Sequence, residues 1–112
     1  MTRLSAKTKM DDYSRVLFEQ HLGQIFEFDP LRNARDRVRL ELIEVSGPSV
    51  GEAIVGFREP FTLLFVLRSS EDLAMGLHRL VHQDFEACDW FLNRVVVPDG
   101  DPRQAYYQAV FG

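Results

Sequence analysis

Residues 60–68, PFTLLFVLR, restrict what this chain can become more than any other stretch. Read with period two, Phe61, Leu63, Phe65 and Leu67 point one way, and Thr62, Leu64, Val66 and Arg68 the other. Both faces are apolar in the middle, which predicts a strand covered on both sides rather than half-exposed. The run has strand length and is too short to span a membrane. The other segments then read as covers for its two faces.

Ser14 is placed to cap a short helix whose apolar stripe is Val16, Leu17, Phe18, His21 and Leu22, with Gly23 as its stop. Gln24–Phe28 reads as a short strand, and Asp29-Pro30 as a turn. Arg37–Ser46 is the clearest alternating strand, with Val38, Leu40 and Leu42 against Arg37, Arg39 and Glu41. The phase breaks where Leu42 meets Ile43, and a bulge or burial of both faces at the strand end accounts for it. Residues 46–49 form a turn, and residues 50–57 are a loop or a ragged edge strand at 53–55. Residues 97–102, VPDGDP, are a turn cluster, and Gln104–Phe111 reads as a docked terminal strand.

Residues 69–97 admit two readings. As a helix, Leu73, Leu77, Leu80, Val81, Cys88, Phe91 and Leu92 share roughly one face, and His78 and His82 lie one turn apart. As strands, residues 73–76 turn, Leu77–Gln83 is one strand and Cys88–Val97 the next. The run Val95-Val96-Val97 favours strand, and Gly76 costs a helix about 1 kcal/mol relative to alanine.

At 112 residues, 46% hydrophobic and 27% charged, the chain reads as one globular domain over residues 13–112, with residues 1–12 as a frayed tail. A domain this small buries enough surface for one core but not for a large cavity as well. Nine Phe against one Trp predict a core filled by rings without hydrogen-bonding handles. The net charge of −4 supplies no basic excess for phosphate neutralisation, so no nucleic-acid partner is expected. The single cysteine, Cys88, allows no intrachain disulfide. The N-terminal residues carry no apolar run of signal-peptide type, and no stretch has membrane-span length. A cytoplasmic protein without a membrane partner is therefore expected, with export inside an assembly left open.

Each candidate for chemistry has a plain structural alternative. His78 and His82 have metal-ligand spacing on a helix, but on a strand the rise sets them about 13 Å apart, too far for one ion. The favoured reading is a turn or core histidine bonded to backbone, so no metal or other cofactor is expected. Cys88 with His82 and Asp84 is a conceivable thiol nucleophile and base, but nothing in the spacing marks it, and a small buried thiol is favoured. Arg35, Arg37 and Arg39 alternate, with Arg32 upstream. They are a candidate surface for an acidic partner or phosphate, against the alternative of a solvated sheet face paired with cross-strand acids. Trp90 beside Phe91 implies that one ring faces out, which makes Trp90 an interface candidate. Phosphate loops, nucleophile elbows and calcium loops are missing from the sequence.

Taken in order, several segments resemble a family of small bacterial domains of unknown function, about 100 residues long. They are Phe18 with His21–Phe26, then Leu40–Ser46, Glu59–Phe65, Gly76–His82, Phe91-Leu92 with Val97-Pro98, and Tyr107–Phe111. The resemblance covers about residues 14–111. The sequence departs from the family pattern at His78, where an aromatic is usual, at 85–87, where a glycine is usual, and in extra residues between Leu92 and Pro98. The resemblance implies a compact antiparallel β domain with one short helix, and it tips residues 69–97 toward strands. It brings no catalytic residues. It also implies proximity to phage-tail-type collar and fibre proteins, hence an assembly role.

The fold expected is mainly β (α+β): a small antiparallel β-barrel or sandwich of five to seven strands with one short N-terminal helix. The function expected is a non-enzymatic protein-interaction or structural domain, working through a protein partner or by self-association, as an accessory of a larger, phage-tail-like assembly. The alternatives are a small-ligand-binding β-barrel lined by Phe residues and, after it, a cryptic hydrolase using His82 and Cys88.

Overall fold

The computed structural model describes residues 7–30, 37–47, 60–70 and 73–111. Its elements are a 3-10 turn at Met10–Asp12, helix α1 (Arg15–Glu19), and six strands. These are β1 (Ile25–Pro30), β2 (Val38–Ser46), β3 (Phe61–Leu67), β4 (Gly76–His82), β5 (Phe85–Val95) and β6 (Tyr106–Phe111). Every pairing is antiparallel, in the order β1-β2-β3-β6-β5-β4, and β4 returns to pair with β1. The small antiparallel barrel expected from the sequence is what forms, and closure leaves no long free edge.

Within 69–97 the described residues form two strands, Gly76–His82 and Phe85–Val95, and no helix. Gly76 opens β4 at φ +143, a conformation closed to L side chains. Gln83-Asp84 is the tight turn into β5. The phase break in β2 is a bulge: the register with β3 shifts between Leu42 and Glu44. The extra residue leaves Ile43 outside while Leu42 is buried and Val45 packs against the core.

The predicted helix forms, but it is short. The Ser14 hydroxyl accepts from the Leu17 amide at 3.1 Å, and Gly23 adopts φ +85. Only Phe18 of the expected stripe is fully buried; Val16 and Leu22 are exposed. A five-residue helix lying across the barrel mouth can direct only about one side chain inward. Phe18 is that plug. Its ring stacks on Phe85 at 5.2 Å and lies 5.7 Å from Phe61 and 5.8 Å from Trp90. Ahead of the helix, Thr8 bridges to Phe85, donating to the Asp84 carbonyl and accepting from the Glu86 amide.

Strand β3 buries Phe61, Leu63 and Phe65 inside. Its outer face is covered less than the sequence implied. Val66 is buried between Glu41 and Tyr106 on the neighbouring strands, whereas Thr62 and Leu64 are half-buried. All six described strands belong to the one barrel, so none of them adds a second sheet over its outside. The second half of the turn at 46–49 and the whole of the edge strand considered at 53–55 fall outside the described residues.

Candidate functional site

The first question is whether the barrel holds a site inside. It is filled. Trp90 sits within 5.1–6.3 Å of Phe111, Phe28, Tyr13, Phe18, Phe26 and Phe65, ring to ring. Phe18 seals one mouth. At the other, the Tyr107 hydroxyl accepts from the Leu73 amide at 3.0 Å and donates to its carbonyl at 3.1 Å. That double bond seats Leu73, which is buried, as the opposite cover. Among the described residues, these rings pack against one another across the barrel interior.

The second is the set of chemically capable side chains. His78 points inward, and its Nε2–H donates to the Ala74 carbonyl at 2.6 Å. Its Nδ1 is buried without a hydrogen-bond partner among the described residues. His82, on the same face, reaches the other mouth, where its ring lies 4.7 Å from Phe26 and 5.8 Å from His21. The Asp84 amide donates to His82 Nδ1 at 3.0 Å, which leaves the ring proton on Nε2. His21 donates from Nδ1 to the Leu17 carbonyl at 2.9 Å and lies 3.5 Å from Asp84 Oδ2 through Nε2. Hence His82 presents a donor, not a lone pair, on its free side, and the described residues contain no group of three suited to a metal.

Burial pulls the His82 imidazole below its ordinary value, with Asp84 opposing the shift and His21 and Lys7 adding to it. An open cleft of about 580 Å³ lies beside it, lined by Lys7, Gln24, Ile25, Glu27, Val81, His82 and Gln83. It occupies the end of the β1–β4 seam, where the ladder stops at Glu27 opposite Val81.

Cys88 is paired with Tyr13, not with a histidine: the phenol oxygen is 3.5 Å from Sγ and also accepts from Trp90 Nε1 at 3.2 Å. Burial, then the Cys88 bond, push the Tyr13 phenol above its ordinary range. The thiol–imidazole contact that a cysteine hydrolase needs does not form among the described residues.

The third is the outer surface. Arg37 faces out and is bonded to Asp29 Oδ1 at 3.0 Å and Glu27 Oε1 at 3.3 Å. Those two acids, Glu27 first, hold its guanidinium more firmly charged than usual. Arg39 also faces out, opposite Glu27; its backbone bonds Ser69 and Arg68. Arg35 lies outside the described residues. Arg68 pairs with Glu41 at 2.8 Å and Arg79 with Asp89 at 3.2 Å. This is the cross-strand compensation weighed against the arginine-face reading.

Trp90 is 1% exposed, and its neighbour Phe91 is the ring that faces out, at 52%. Directly opposite Phe91 on β4 is Leu77, also 52% exposed. Val110, on the outer face of β6, is 58% exposed. The β5–β6 register carried two residues past Asn93–Gln108 sets Val110 beside Phe91, and Trp90 against Phe111 at 5.1 Å shows the strands still adjacent there. Leu77, Phe91 and Val110 thus form an apolar row across three strands. Scattered exposed apolar residues are ordinary, whereas a contiguous row carries information. None of the three was singled out by the sequence as exposed. Period-two reading splits Leu77 from Leu80 and Phe91 from Leu92, but it does not say which parity is inside.

No curated protein and no solved structure matches the chain. A family model described as a domain of unknown function (DUF6916) matches residues 13–111, from the buried Tyr13 to the last strand, and the chain therefore belongs to that family.

Proposed function

We propose that the domain is a non-enzymatic protein-interaction module, an accessory part of a larger assembly. The observation that carries this reading is the Leu77–Phe91–Val110 row, three half-exposed apolar side chains side by side on a barrel whose interior is full. A filled barrel leaves the outer surface as the place of function, and a water-facing aromatic between two aliphatics gains most by being covered. On the β1–β2–β3 side of the wall the arginines Arg37 and Arg68 each have an acid within the chain. A phage-tail-like assembly is the finer form of the proposal and rests on the sequence resemblance alone.

A photo-crosslinking residue placed at position 91, and another at position 37 on the charged side, tests the reading in the native cell. Discrete protein adducts are expected from position 91, lost when Leu77 is replaced by Asp, and not from position 37. Equal labelling from both positions, or none from 91, would overturn the proposal.

A further inference from the structure

We propose that the partner of the β4–β5 outer face is a second copy of this chain, docked about a two-fold axis that runs parallel to the strands between β4 and β5. This rests on the interaction reading above and names its occupant. The argument is self-complementarity. In a two-fold contact residue i meets residue j and j meets i, so a face can pair with itself only if its two halves match.

The register supplies two matched rows. Leu77 on β4 lies opposite Phe91 on β5, and Arg79 lies opposite Asp89. An axis between the strands brings Leu77 onto the partner's Phe91 and Arg79 onto the partner's Asp89. Each contact occurs twice. The apolar row supplies buried area, and the charged row fixes the orientation. A face with two arginines in those positions, or two carboxylates, would repel its copy. Here each protomer carries one of each sign, 3.2 Å apart and both partly exposed. Asn93, Gln108 and Val95 extend the face toward β6 without adding a charge that opposes the docking.

The contact is small, so association is expected in the range of about 1–100 µM rather than tighter. The purified chain should move from monomer to dimer in sedimentation as its concentration rises through that range. Phe91→Lys, a substitution at an exposed position that breaks no ion pair, should leave only monomer with an unchanged melting transition. Arg79→Asp and Asp89→Arg should each weaken the dimer about tenfold or more, because symmetry counts every repulsion twice.

Mixing the two single variants is the deciding step. An Arg79→Asp chain and an Asp89→Arg chain match each other across the axis, so the mixture should form a heterodimer that neither forms alone. A wild-type chain that stays monomeric throughout, or a mixture that stays monomeric while both variants are folded, overturns the proposal. Adducts from position 91 to a different protein, with no adduct of twice the chain mass, overturn the second copy and leave the interaction reading standing. An absence of any adduct overturns both.

Discussion

Removing one oxygen atom tests whether the barrel is sealed at its second mouth. In Tyr107→Phe the ring stays where it is, fully buried, and only the hydroxyl is lost. That hydroxyl serves both backbone groups of Leu73, at 3.0 and 3.1 Å, and Leu73 is itself only 3% exposed. An orphaned buried group costs about 1–3 kcal/mol, and two are orphaned here. Leu73 lies in a loop that can shift toward water, which favours the lower half of the sum, about 2–4 kcal/mol. The whole domain is expected to hold roughly 5–15 kcal/mol, so this is a large fraction of it. With a urea m-value of about 1.5 kcal/mol/M, the midpoint should fall by roughly 1.3–2.7 M at unchanged slope.

Tyr106→Phe is the matched control. Its hydroxyl accepts from the Asp101 amide at 2.9 Å in a part-buried turn, where water can replace it, and a loss of about 0.5–1 kcal/mol is expected. Amide exchange adds a local readout, since the Leu73 N–H should lose protection in Tyr107→Phe and keep it in Tyr106→Phe. If the two variants unfold at the same urea concentration, Leu73 is not seated on Tyr107 and the account of the sealed mouth is wrong.

The other mouth should be dearer still: Phe18→Ala removes the ring that packs on Phe85, Phe61 and Trp90, and about 3–5 kcal/mol is expected by chemical unfolding, with a change in Trp90 fluorescence. Stability should also depend on His82. Its imidazole is held below the ordinary value of about 6.5 in the native state. The unfolded chain therefore takes up that proton first, and stability falls as pH drops below about 6.5 until the native group protonates as well. Above pH 7.5 both states are neutral and this contribution to the slope vanishes. Urea midpoints at pH 7.5, 6.5 and 5.5 should fall toward acid in the wild type and fall less in His82→Gln; equal slopes would remove His82 as the cause.

The strands were legible because their signals are local. Alternation at Val38, Leu40 and Leu42 found β2, and the Leu42-Ile43 phase break found its bulge, since an extra residue must shift a period of two. The turn at 97–102 also needed only its own residues, whereas the strand in 77–83 did not: its apolar spacing fits a helix face as well as a strand, and only pairing with β1 and β5 decides it. The covering of β3 was misjudged for a non-local reason. An apolar outer face reads as buried under a second layer, but in a barrel it can be shielded edgewise, as Val66 is between Glu41 and Tyr106. The choice between Trp90 and Phe91 had the same character. Both parities of β5 hold rings, and only the filled interior decides which one stays out.

Strand number then links the fold to where a site can be. An eight-stranded barrel has an interior just wide enough for side chains to fill, and six strands at similar tilt enclose less. One Trp, with the Phe rings of β1 and β3 and the Phe18 plug, exhausts that volume. Nine Phe in a chain of this length therefore argue against a lumen rather than for one, since the rings that would line a pocket are those that remove it. The recognition proposed above then falls to the wall, where period two gives each strand only every other residue. On β4 and β5 those outward residues include Leu77 with Arg79 and Phe91 with Asp89, two adjacent positions on each strand with the charge sign reversed between them. A face built that way carries its own complement, and the charge-reversed mixture is the measurement on which that reading stands or falls.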